Sequence, residues 1–116
     1  MAELTLKRIA EASLAVADEQ GASGFTMRAV ADHLGVTPMA LYHHVTDKAG
    51  LVAVLVDEAI AERPLPAPTG IWQDDLWEVA RWMRESTLAH PAVGRLRSAY
   101  HVWTRSILFR RTSFIR

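Results

Sequence analysis

Gly35 is the residue that most restricts how this chain can fold, because it separates two short helical patterns, each with its own start signal. A left-handed backbone is cheap only without a Cβ, so a glycine here can end one helix and reverse the chain. Upstream, Thr26 is an N-cap candidate for a helix starting near Met27, its hydroxyl free to accept from an orphan backbone N–H. In that helix Val30, Ala31 and Leu34 share one face, leaving Arg28, Asp32 and His33 turned outward. Val36 follows as a plug under the turn. Thr37 and Pro38 form the second start signal: threonine caps, and proline at the first helical position gives up an N–H that had no intrahelical partner. Leu41 and Val45 seat this second helix, over about 38–44, and its other face presents Thr37, Met39, Ala40, Tyr42, His43 and His44. Residues 26–48, TMRAVADHLGVTPMALYHHVTDK, therefore read as two short helices, a tight turn, and a further helix about to begin. That is the grammar of a helix-turn-helix, and it makes DNA the first partner to consider.

The outward face has the chemistry such a partner requires. None of residues 34–45 is acidic, although carboxylates recur through the rest of the first ninety residues. A surface entering the groove of a polyanion should lack them, since each would be repelled by phosphate. Pro38, Met39 and Ala40 at the leading end are small or flat enough to approach base edges and thymine methyls. Tyr42, His44 and Lys48 lie further along, where hydroxyl, imidazole and ammonium can reach phosphate oxygens. The plainer alternative is a three-helix packing unit with a solvated polar face. The agreement of caps, turn glycine, plug and acid-free face favours the nucleic-acid reading.

The rest of the chain is helical in pattern. A first helix is expected over about 5–20, with Leu6, Ile9, Ala10, Ser13, Leu14 and Ala17 recurring near 3.6 and Gly21 ending it. Asp47 caps a fourth helix, whose stripe of Leu51, Val52, Leu55, Val56, Ala59 and Ile60 is broad enough for contact on two sides. Residues 64–70, PLPAPTG, cannot continue it and read as a linker. A fifth helix is expected over about 71–89, with Trp72, Leu76, Val79, Ala80, Met83 and Thr87 on one side and His90-Pro91 as a stop. Trp72, Trp77, Trp82 and Met83 suit a pocket for an apolar small molecule, Trp72, Trp82 and Met83 being the ligand candidates, while the same stripe at helical spacing also suits plain core.

A chain of 116 residues with 50% hydrophobic and 22% charged content supports one modest packed globule. Zero cysteines exclude disulfides, thiolate catalysis and cysteine-ligated zinc. His33, His43 and His44 lack the spacing and the carboxylate of a metal site, and no phosphate loop, H-E-x-x-H or activated nucleophile is present, so neither metal, cofactor nor enzymatic activity is expected. With no apolar run near the roughly 20 residues of a membrane span, and an N-terminus unlike a secretory signal, a soluble cytoplasmic protein is expected. Charge is unevenly placed: residues 1–90 hold seven Lys/Arg against all thirteen Asp/Glu, whereas residues 91–116 hold six arginines and no acid. DNA binding would then rest on local groups such as Arg28 and Lys48, with Lys7 and Arg8 either at flanking phosphates or simply solvated.

The segment GFTMRAVADHLGVTPMALYHHVTDKAGLV closely resembles the DNA-binding domain of TetR-type transcriptional regulators, with its glycine-aromatic-threonine entry, LGV turn, LY-x-H-V recognition helix and a lysine opening the fourth helix. The resemblance extends back through LKRIAEASLAVADEQGASG and forward through WQDDLWEVARWMRESTLAHPAV, covering about 4–93. It implies an all-α fold. A three-helix, homeodomain-like helix-turn-helix domain would occupy 1–47, a connecting helix 48–63, a Pro-rich linker 64–70, and a short, incomplete regulatory or ligand-binding region 71–116. It also implies roles. Thr26 matches a phosphate-contacting threonine, and Arg28 a position that in some members reads a guanine. Thr37, Pro38, Met39 and Ala40 match the variable turn that reads operator bases, and Tyr42, His44 and Lys48 match phosphate contacts. The expected function is that of a ligand-responsive repressor binding a palindromic operator in double-stranded DNA as a homodimer, released by a small-molecule inducer.

The tail GRLRSAYHVWTRSILFRRTSFIR departs from the family pattern. Leu96, Tyr100, Trp103 and Ile107 recur at helical spacing with Arg95 and Arg105 off that face, as in an amphipathic basic helix that would meet a partner, cover exposed core, or touch anionic lipid or nucleic acid. The alternative is a truncated or frame-altered paralogue. Family members continue into helices that dimerise and close the inducer pocket, so a homodimer requires a replacement for them. Two other function classes follow: a non-DNA-binding interaction protein that forms mixed dimers, and a surface or small-molecule binder using the Trp-rich helix and the Arg-rich tail.

Overall fold

Side-chain oxygens open four of the helices. Thr5 Oγ1 accepts from Arg8 N at 3.2 Å, Thr26 Oγ1 from Ala29 N at 3.0 Å, Thr37 Oγ1 from Ala40 N at 3.2 Å, and Asp47 Oδ1 from Gly50 N at 2.8 Å. Each bond satisfies one of the donors that a helix start leaves without an intrahelical partner. The computed structural model describes residues 3–102, and every regular element among them is an α-helix: α1 (Leu6–Gly24), α2 (Met27–Leu34), α3 (Pro38–Tyr42), α4 (Lys48–Glu62), α5 (Trp72–Ala89) and α6 (Pro91–Tyr100). The fold is all-α.

Three details differ from the sequence pattern. The backbone leaves helical geometry at Gly21, as expected, at φ 75° and ψ −179°, but a further short helical stretch follows this kink and runs to Gly24. Leu6, placed on the apolar stripe by its spacing, is exposed. Helix α3 ends at Tyr42, two residues early, and its final carbonyl work is shared: Leu41 O accepts from both His44 N and Val45 N.

The core forms where α1 packs on α2, α4 and α6, with α4 also against α6 and α2 against α3. Ile9, Val16, Phe25, Val30, Leu41, Leu51, Val52 and Leu55 are fully buried there. Each such side chain contributes about 1.5–3 kcal/mol relative to an exposed one. Helix α4 packs against both α1 and α6, with Leu51, Val52, Leu55 and Val56 buried and Ala59 and Ile60 at the edge of the same cluster. Ala92, Val93 and Leu96 of α6 complete it.

Helix α5 is different. It buries none of its residues, although its stripe of Trp, Leu and Met has the spacing of a core helix. It is held at specific points: Trp82 Nε1 donates to Arg63 O at 2.8 Å, and Arg63 Nη2 pairs with Glu85 Oε2 at 3.1 Å. Its N-terminus lacks a capping side chain at Ile71. Asp75 reaches back instead, accepting from Thr69 N at 2.9 Å, Thr69 Oγ1 at 2.7 Å and Gly70 N at 3.3 Å. Pro91 ends α5 and also starts α6, standing in its first turn where a missing N–H costs nothing. Helix α6 closes at Tyr100 on His101 in a left-handed conformation, φ 51°, with Val102 N bonded to Arg97 O at 3.2 Å. Leu96 and Tyr100 of the expected basic stripe therefore lie on α6, and Trp103, Arg105 and Ile107 lie outside the described residues.

Candidate nucleic-acid interface

The turn between α2 and α3 is built on Gly35 at φ 72°. Gly35 N bonds to Asp32 O at 3.1 Å and Val36 N to Ala31 O at 3.0 Å, the paired bonds of a Schellman close. Val36 is half-buried beneath the turn, against the core. On the far side Leu41 is fully buried and Val45 nearly so, which fixes the rotation of α3 about its axis. What remains outward follows from that rotation. Thr37, Pro38, His43 and His44 are exposed, Met39 is 68% exposed and Tyr42 46%, large values for apolar or aromatic side chains so near a core. Ala40 is half-buried.

The flanking groups extend the same surface. Thr26 and Arg28 are exposed at the start of α2, and Lys48 is half-buried at the start of α4. The hydroxyls of Thr26 and Thr37 each accept a capping bond and retain a hydrogen to donate, so a cap can also serve a phosphate oxygen. Neither α2 nor α3 has an acid in its first turn, which leaves the positive end of each unneutralised. Among the described residues no carboxylate forms a salt bridge with Arg28 or Lys48. The Lys48 ammonium instead lies over the ring of Tyr100, 5.5 Å from its centroid. No motif pointed to Tyr100 as part of this surface, because the contact joins the start of α4 to the end of α6.

The three expected ligand residues are placed apart. Trp72, 70% exposed, lines a shallow apolar depression with Gln73, Leu76, Trp77 and Ala80. Trp82 is half-buried with its indole N–H on the Arg63 carbonyl, and Met83 is 56% exposed. Trp82 and Met83 are not among the residues that line that depression. Among the described residues no helix is long and apolar enough to cross a membrane, and no cluster of His, Asp or Glu is grouped to hold a metal ion.

A three-helix unit with a glycine turn and an exposed, acid-free third helix, leading through α4 into further helices, defines the class of helix-turn-helix proteins. Residues 9–55 match the family model described as bacterial regulatory proteins, tetR family, and through this segment the chain belongs to that family. It is 34% identical over 99 residues to the class E tetracycline repressor protein of Escherichia coli, covering 83% of this chain and 47% of that one. Among solved structures, the TetR family protein ActR of Streptomyces coelicolor in complex with (S)-DNPA matches with a TM-score of 0.72 and 32% identity, over 83% of this chain and 48% of that one. BioQ with its natural double-stranded DNA operator matches with a TM-score of 0.75 and 30% identity, over 85% of this chain and 59% of that one. The chain spans less than half the length of the curated relatives it matches.

Proposed function

We propose that this chain is a sequence-specific DNA-binding transcriptional regulator, a repressor that enters the major groove with the leading turn of α3. Thr37, Pro38, Met39 and Ala40 face base edges, and Arg28 reaches a guanine from α2. Thr26, Tyr42, His44 and Lys48 take phosphates on either side. The observation that carries this reading is the outward, acid-free face of α3 held in place by the fully buried Leu41. The likeness to BioQ bound to an operator supports it. The division into a reading head over 1–47, connecting helix 48–63, linker 64–70 and regulatory region 71–116 belongs to the same proposal.

As a homodimer, two such heads would meet successive major grooves about 34–36 Å apart on a palindromic site. An inducer would act by changing that separation. The names of relatives support a small-molecule response: one is a tetracycline repressor, and ActR was solved with (S)-DNPA. In this chain the exposed aromatic face of α5 is where such a ligand would be enclosed once other helices cover it, and the setting of this activity is the cytoplasm. Selection of bound fragments from genomic DNA with the purified chain, followed by anisotropy at several salt concentrations, tests the proposal. Enrichment of an inverted repeat is expected, and equal, weak affinity for every duplex would overturn it.

A second reading rests on α5, which exposes Trp72, Leu76, Trp77, Met83 and Leu88 along one helix. Exposed apolar surface of this extent suits association, and it favours an interaction protein that forms mixed dimers with a longer relative. Gel-filtration mass measured alongside the DNA titration separates the two: a monomer without DNA affinity supports the second reading.

A further inference from the structure

Lys48 opens α4 and Tyr100 closes α6, and the two side chains meet with Nζ 5.5 Å from the ring centroid. That distance is within the range of about 6 Å over which an aromatic face attracts a cation. The arrangement is anchored on both sides. Asp47 caps α4 at Gly50, which sets the start of the helix that carries Lys48. Helix α6 is held on α1 and α4 by buried Ala92, Val93 and Leu96, and its last turn is closed by the bond from Val102 N to Arg97 O with Val102 itself buried. Tyr100 therefore stands on a hydrogen-bonded helix end, and at 37% exposure it is partly open to solvent while its ring meets Lys48.

The chemistry of this contact differs from that of an ion pair. A carboxylate beside Lys48 would cancel its charge and compete with any phosphate. A ring face holds the ammonium and leaves it cationic, with N–H groups still free to donate. Lysine also loses rotamer freedom when its ammonium is fixed on an anion, and an ammonium already held in place loses less. We propose that Tyr100 is a positioning residue for DNA binding: its ring holds the Lys48 ammonium where α4 meets the phosphate backbone, and so strengthens that contact. The inference rests on the reading above in which Lys48 meets a phosphate.

Phosphate contacts are made on any duplex, so the test needs no operator. The full chain is titrated into a fluorescent mixed-sequence duplex over a range of salt concentrations, using wild type, Tyr100→Phe, Tyr100→Leu, Lys48→Ala and the Lys48→Ala/Tyr100→Leu pair, each checked for helical content and thermal midpoint. Tyr100→Leu is expected to weaken binding about threefold, and Tyr100→Phe, which keeps the ring, to bind as wild type. Lys48→Ala should reduce the magnitude of the salt slope by about 1, and in that background Tyr100→Leu should have no further effect. If Lys48→Ala behaves so but Tyr100→Leu costs the same in both backgrounds, or tightens binding, the positioning role is overturned while the phosphate contact stands. A salt slope unmoved by Lys48→Ala, or no salt-dependent binding at all, overturns the phosphate reading and this inference with it.

Discussion

His90 and Asp18, separated by 72 positions in the chain, stand with imidazole Nδ1 2.8 Å from carboxylate Oδ1, and across the same ring Nε2 lies 3.2 Å from Glu62 Oε2. One side chain at the α5–α6 corner thus ties α1 to the end of α4. The ring is largely covered while its carboxylates are partly solvated, so the tie contributes less than a fully desolvated pair would. Replacing His90 by Ala should lower the unfolding free energy by about 1 kcal/mol, from the lost contacts to Asp18 and Glu62. A urea midpoint equal to that of wild type would show that the corner is held by Pro91 and the apolar contacts of α6 alone.

Acid sensitivity is expected where Asp75 meets Thr69 and Gly70. The Thr69 hydroxyl, then the Thr69 N–H, and to a smaller extent the Gly70 N–H donate to its carboxylate and hold its pKa below the ordinary aspartate value. With the folded pKa depressed, the contribution is present above the unfolded value and is lost as pH falls through the folded one. The amide resonances of Thr69 and Gly70 should therefore shift together in an acid titration, with a midpoint below that of an exposed aspartate. In Asp75→Asn they should stay still over the same range; a titration that persists in the variant would assign it to another group.

Gly35 tests the turn. A Cβ added there would meet nothing within 4 Å, so Gly35→Ala introduces no clash and isolates the cost of a left-handed alanine. That cost is about 1 kcal/mol. Chemical denaturation should show a loss of this size, and α3 should be displaced enough to weaken DNA binding as well. An unchanged unfolding midpoint would mean that the turn relaxes out of its left-handed geometry.

Met39 separates stability from recognition. It is among the most exposed large apolar side chains, so Met39→Glu should leave stability within about 0.5 kcal/mol of wild type. The same change places a carboxylate on the face proposed to enter the groove and should weaken binding to every duplex tested. Wild-type affinity for DNA in Met39→Glu would move the interface away from the leading turn of α3.

The helix-turn-helix was legible in the chain because its signals are local. Thr26, Thr37 and Asp47 cap donors three residues away, and Gly35 bonds within the same turn, so the residue types and their spacing carry the whole instruction. The outward placement of Met39, Tyr42 and His44 followed once Leu41 and Val45 were assigned inward. The sequence pattern marks Pro91 as a stop but does not say that it also starts α6, and a left-handed His101 had no glycine to announce it.

The sequence by itself determined the all-α character, the caps and turn of the helix-turn-helix, and which face of each of its helices is apolar, because each depends on neighbours within about one turn. Only the tertiary structure decided which apolar faces are covered. Helix α5 has the stripe of a core helix, yet its Trp72, Leu76 and Met83 are exposed, since burial depends on what other segments bring against a face. It likewise decided that Trp82 donates to Arg63, that His90 bridges Asp18 and Glu62, and that Tyr100 lies under Lys48. Those pairings arise where helices distant in sequence cross, and helical periodicity says how a face is composed but not which residue of another helix will meet it.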